Sequence, residues 1–134
     1  MDTFFPSLSP AEVNQLGLLE LAYFGDTICD LYVRENLVRR GISVHEMHRR
    51  AVARVNAQAQ ADALERVRPL LTEAEADLVR RGQNAKPHHD APHGIDRRLY
   101  SHATAFEALL GSLYLTGHTD RLRELLNTAM EELL

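Results

Sequence analysis

The sequence predicts an all-α protein folded as a single domain, 1–134. Three observations carry that prediction. No segment alternates apolar and polar residues with the period of two that marks a half-buried strand. Apolar residues recur at helical spacing through most of the chain, and helix start and stop signals punctuate them at regular intervals. The length, 134 residues, and an apolar share of 45% suit one hydrophobic core.

Residues 1–13 read as a leader. The stretch "MDTFFPSLSP" is acidic and its apolar patch is short, so no signal peptide is expected there. "SPAE" is a helix start: Ser9 caps, Pro10 takes the first turn, and Glu12 stands three residues after the cap. The spacing then predicts one helix from about Asn14 to Arg40, stopped by Gly41. Ser43 and Glu46 open a second long helix that runs on to Pro69. Thr72 and Glu75 open a third, "TEAEADLVRR", closed by Gly82. The stretch "GQNAKPHHDAPHGIDRR" reads as a loop, because two prolines and two glycines interrupt it. A helix follows from about Arg98 to Leu115, and a last one begins at Thr119 or Asp120 after Gly117. No run of about twenty apolar residues occurs, so no membrane span is expected. The single cysteine, Cys29, lies on an apolar helix and reads as core; such sparse cysteine fits a reducing cytoplasm.

The charge is unevenly spread. The net charge is −4, yet Arg34 to Arg98 holds 13 basic and 9 acidic residues, against 2 basic and 10 acidic in the remainder. All but one of the 15 basic residues are arginine, whose planar fork suits phosphate oxygens. That central excess keeps nucleic acid open as a partner despite the acidic total.

Two acids stand out. Asp26 sits inside "LELAYFGDTICDLYV", a segment apolar nearly all round. Glu107 sits inside "ATAFEALLGSLYL", which is similar. A carboxylate buried in either would be costly unless paired, hydrogen-bonded or bound to metal. Small residues flank both acids, with Gly25 beside Asp26 and Gly111 one turn after Glu107, so two helices could approach closely there. A divalent cation between two carboxylates would relieve their repulsion, and oxygen ligands alone favour Mg²⁺ or Mn²⁺ over zinc. The alternative is that each acid emerges at a solvent-facing edge of its helix. Spacing does not choose between these.

At these two stretches the chain resembles the ribonuclease III family. "LAYFGDTICDLYV" looks like that family's signature helix, and "EALLG" looks like the core of its second acidic helix. "RRGQNAK", Arg80 to Lys86, and "VNAQAQA", Val55 to Ala61, resemble elements of the Mini-ribonuclease III branch, which has a catalytic domain and no double-stranded-RNA-binding domain. The likeness runs from about Leu16 to Leu126, with its motifs in the same order.

The resemblance implies a metal-dependent endoribonuclease acting on double-stranded RNA as a helical homodimer. Asp26 and Glu107 match the family's catalytic, metal-binding carboxylates, with Mg²⁺ as cofactor and Mn²⁺ as a substitute. Arg80, Arg81, Asn84 and Lys86 would contact RNA. The implied substrate is the end-pairing stem of 23S ribosomal RNA precursor, presented with a ribosomal protein in the cytoplasm. Ala22 and Thr104 stand where full-length relatives carry acids, and Leu19 where they carry a glutamate, so fewer anionic ligands are expected. Asp30 reads as a solvated charge, with orientation of the site as the alternative. His88, His89 and His93 match no standard zinc spacing and read as part of an RNA-contacting loop. A catalytically silent RNA-binding relative and a helical scaffold domain are the competing readings.

Overall fold

The computed structural model describes residues 3–85 and 96–130. The expected RNA contact Lys86 and the loop histidines His88, His89 and His93 lie outside the described residues. Among the described residues the chain is all-helical: α1 (Pro10–Asn14), α2 (Leu18–Val38), α3 (Val44–Arg54), α4 (Ala57–Val67), α5 (Glu73–Asn84), α6 (Arg97–Leu115) and α7 (Thr119–Ala129), with a single 3₁₀ turn at Arg68–Leu70.

Helix α6 is the centre, packed by α2, α4, α5 and α7. From Ala103 to Leu113 every residue is buried except Glu107 and Ser112. A helix with so little polar surface is stable only when neighbours enclose it. Phe106, Leu109 and Leu110 fill the core with Leu64, Val33 and Leu125 from the surrounding helices. Three glycines let backbones touch. A Cβ on Gly25 would fall 1.7 Å from the Glu107 carbonyl oxygen, and one on Gly111 would fall 2.3 Å from that of Leu21. The α2–α6 crossing is therefore closed to any side chain at those two positions.

The starts of α5 and α7 are joined differently. Arg121 on α7 donates to both Glu75 oxygens, at 3.0 and 2.8 Å, and to the Leu70 carbonyl at 2.7 Å. Glu75 also completes the Thr72 capping box, so a single carboxylate serves a helix end and an interhelical clasp.

The elements depart from expectation in three places. The first long helix is two, because Gly17 is extended and serves as the N-cap of α2. The second is also two: Val55 leaves helical geometry and the Asn56 side chain accepts from the Ala59 N–H at 2.8 Å, which starts α4 anew. Gly82 does not end its helix. It lies inside α5, where a Cβ would meet the Ala105 Cα at 2.9 Å, so its small size serves packing. Gly41 and Gly117 do terminate helices, with φ of 69° and 79°, values that favour glycine.

Candidate active site

The α2–α6 crossing places the two acids. Gly25 abuts the Glu107 backbone, which sets the next residue on α2, Asp26, beside the Glu107 side chain. The carboxyl groups lie within hydrogen-bonding reach of each other. Asp26 is exposed, which for this acid favours emergence at a solvent-facing edge of its helix over burial in the core. Glu107 is only partly exposed. Burial, then the hydrogen bond and the negative charge of Asp26, push its pKa up to about 9. Such a shift favours the protonated form of Glu107 at neutral pH.

A third helix enters this junction. Gln60, in the first turn of α4, is 5% exposed, and its Nε2 donates to Glu107 Oε2 at 3.5 Å. It also stands against the Cys29 thiol on α2. Burial pushes that thiol up to about 12, so Cys29 is a core residue and no nucleophile at neutral pH. Leaving a buried amide such as Gln60 without a partner would cost about 1–3 kcal/mol. Sequence reasoning missed Gln60. Gln60 lies inside "VNAQAQA", but its place among Ala61, Ala63, Leu64 and Val67 on the inner face of α4 is legible only once Asn56 is recognised as a helix start. Its neighbour Gln58 is exposed and bonds Asp62 at 3.0 Å.

The other expected site residues fall elsewhere. Arg80 and Arg81 are on α5, and both pair with Asp77 rather than with either acid. Asn84 is exposed at the end of α5. Asp30 pairs with Arg34 at 3.0 Å on the surface of α2, as a solvated charge does. Ala22 is buried, and the Thr104 hydroxyl donates to the Tyr100 carbonyl at 2.9 Å, so neither position offers a ligand to the acids.

Residues 19–118 match the ribonuclease III domain. The chain belongs to the ribonuclease III family. Within it, the chain is 48% identical over 114 residues to a Mini-ribonuclease 3 of Symbiobacterium thermophilum, covering 84% of this chain and 87% of that one. It is 40% identical over 124 residues to a Mini-ribonuclease 3 of Enterococcus faecalis, covering 90% of this chain and 93% of that one. A crystal structure of a Fusobacterium nucleatum protein superposes with a TM-score of 0.81 at 26% identity, over 92% of this chain and 98% of that one. These relatives place the chain in the Mini-ribonuclease III branch, as a ribonuclease III-type endoribonuclease.

The acid pair can be tested for the divalent cation on which this family generally depends. Among the described residues no group of three or more His, Cys, Asp or Glu side chains converges to hold a metal. Two adjacent carboxylates are nonetheless a sufficient protein share for Mg²⁺, which keeps several waters and takes further oxygens from a substrate phosphate. Burial and the neighbouring Asp26 raise the Glu107 pKa, as expected where two carboxyl groups stand together. The donor set fits Mg²⁺ or Mn²⁺ and is too small and too hard for a structural zinc.

Proposed function

We propose that Asp26 and Glu107 are the catalytic, metal-binding pair of a Mg²⁺-dependent endonuclease for double-stranded RNA, and that the substrate is the stem pairing the ends of 23S ribosomal RNA precursor. One observation carries this reading: two carboxyl groups distant in sequence come within hydrogen-bonding reach of each other at a helix crossing. Bound Mg²⁺ would lower the pKa of a water and stabilise charge on the phosphate. The chain's own part is to hold both carboxylates at one point and to fix that point on the most buried helix of the fold.

A duplex has two strands and one chain offers one acid pair, so the active form in this reading is a homodimer. An apolar strip supports it. Tyr23, Leu31 and Val38 are exposed along α2, at 84%, 56% and 60%, beside a groove lined by Ile28, Tyr32, Leu122 and Leu126. Arg80 and Asn84 are exposed at the end of α5 and, with Arg81 and Lys86, are the RNA contacts of this reading. Presentation of the stem by a ribosomal protein and a cytoplasmic location belong to the same proposal.

The test is to incubate an end-labelled RNA duplex with the protein and Mg²⁺. Cleavage that stops with chelator is the expected result. Binding without cleavage would point to a silent relative, and neither binding nor cleavage to a scaffold. Sedimentation at micromolar concentration should give a dimer.

A further inference from the structure

Among the described residues only two polar side chains are classed as buried, Gln60 and Thr104. Thr104 satisfies its hydroxyl within its own helix, on the Tyr100 carbonyl. Gln60 does not. Its amide leaves α4, passes the Cys29 thiol of α2 and ends on Glu107 of α6, so one side chain spans all three helices that meet at the acid pair. The rest of the inner face of α4 is Ala61, Ala63, Leu64 and Val67, and an apolar residue at position 60 would continue it. The departure from that pattern coincides with the one buried position on α4 that reaches a carboxylate.

The geometry points to Gln60 as a positioning residue of the active site: it ties Glu107 Oε2 and so leaves the second oxygen aimed at Asp26 and the cation between them. The inference rests on the reading of Asp26 and Glu107 as the metal-binding pair. A carboxylate at the end of a glutamate swings about several bonds. An amide donor that is itself packed on every side removes that freedom from one oxygen without adding charge. Hydrogen-bond partners of metal ligands act in this way, and losing one typically weakens metal affinity or activity by about 10- to 100-fold.

The test compares wild type with Gln60→Leu and Gln60→Met, which keep the volume and remove the donor, and with Asp26→Asn. Mn²⁺ binding to the RNA-free protein is read by electron paramagnetic resonance titration. The Mg²⁺ dependence of single-turnover cleavage is read at saturating duplex, and melting temperature is read without metal. For the Gln60 variants we expect Mn²⁺ affinity reduced at least about tenfold, the Mg²⁺ midpoint raised by a similar factor, and the rate restored at high Mg²⁺. Duplex affinity should not change, and Asp26→Asn should not be rescued at any Mg²⁺ concentration. Lower melting temperatures with unmoved metal curves would make Gln60 a packing residue and overturn the inference. If Gln60→Leu fails to fold, Gln60→Met decides by the same curves. An active Asp26→Asn would overturn the site and the role of Gln60 together, whereas an inactive Asp26→Asn beside unmoved Gln60 curves would overturn Gln60 alone.

Discussion

Two glutamates, each partly buried and each bridging helices, have opposite surroundings. Glu75 faces the guanidinium of Arg121, which holds its carboxyl below the usual range. Glu107 faces the carboxyl of Asp26 and is pushed up to about 9, burial being the larger cause. The first arrangement is self-sufficient and ties α5 to α7. The second sets two carboxyl groups side by side at a helix crossing, where burial and like charge disfavour ionisation. A carboxylate kept where it destabilises the metal-free fold is a stronger pointer to chemistry than one that is well paired.

The sharpest way to break this contrast is to remove the charge of the acid pair. Asp26→Asn should lower single-turnover cleavage by several orders of magnitude and leave helicity and duplex binding in place. Glu107→Gln should act likewise, and the double variant should cost little more than either single one, because the two act as a unit. Melting temperature without metal should hold level or rise. Undiminished cleavage by Asp26→Asn would end the metal-site reading.

Next in size is the crossing that brings the acids together. Gly25→Ala places a Cβ against the Glu107 backbone, and should cost on the order of 3 kcal/mol by denaturant unfolding. It should also lower cleavage in the molecules that remain folded, since Asp26 and Glu107 move apart. A variant with unchanged stability would show that the helices separate freely there.

The paired glutamate should give the converse result. Arg121→Ala leaves Glu75 and the Leu70 carbonyl without their donor and should cost on the order of 2 kcal/mol of stability. Cleavage per folded molecule should be unchanged, measured at a temperature where the variant is fully folded. A selective loss of rate would mean that the clasp also serves the site.

In the pH dependence of melting without metal the two glutamates have opposite signs. The folded state keeps the Glu107 proton up to about pH 9, whereas the unfolded chain releases it near the ordinary 4.5. Between those values the folded state binds more protons, so this contribution falls as pH rises. Glu75 has a lowered pKa, so its contribution is present above the ordinary 4.5 and is lost as pH falls through the lower folded value. Glu107→Gln should flatten the decline from about pH 5 to pH 9, and Glu75→Gln should flatten only the acid limb. An identical slope in Glu107→Gln would place the titration elsewhere.

Much of this was legible in the chain. The caps at Ser9, Ser43 and Thr72 start helices where the sequence puts them, because an oxygen three residues before a free N–H satisfies it locally. Asn56 was overlooked because the apolar period continues across it, and period alone does not register a break between two collinear patterns. Gly82 was read as a stop because a glycine after two arginines looks like a helix end. Its contact with Ala105 belongs to another helix and leaves no local trace.

The sequence by itself determined the helical class, the family and the two acids, since period, caps and ordered motifs are properties of neighbouring residues. Only the tertiary structure decided that Asp26 is exposed, that Glu107 is enclosed beside it, and that Gln60 reaches that carboxylate from a third helix. Burial and pKa are set by what packs from outside a helix, and 80 residues separate Asp26 from Glu107 in a chain whose local pattern treats both alike.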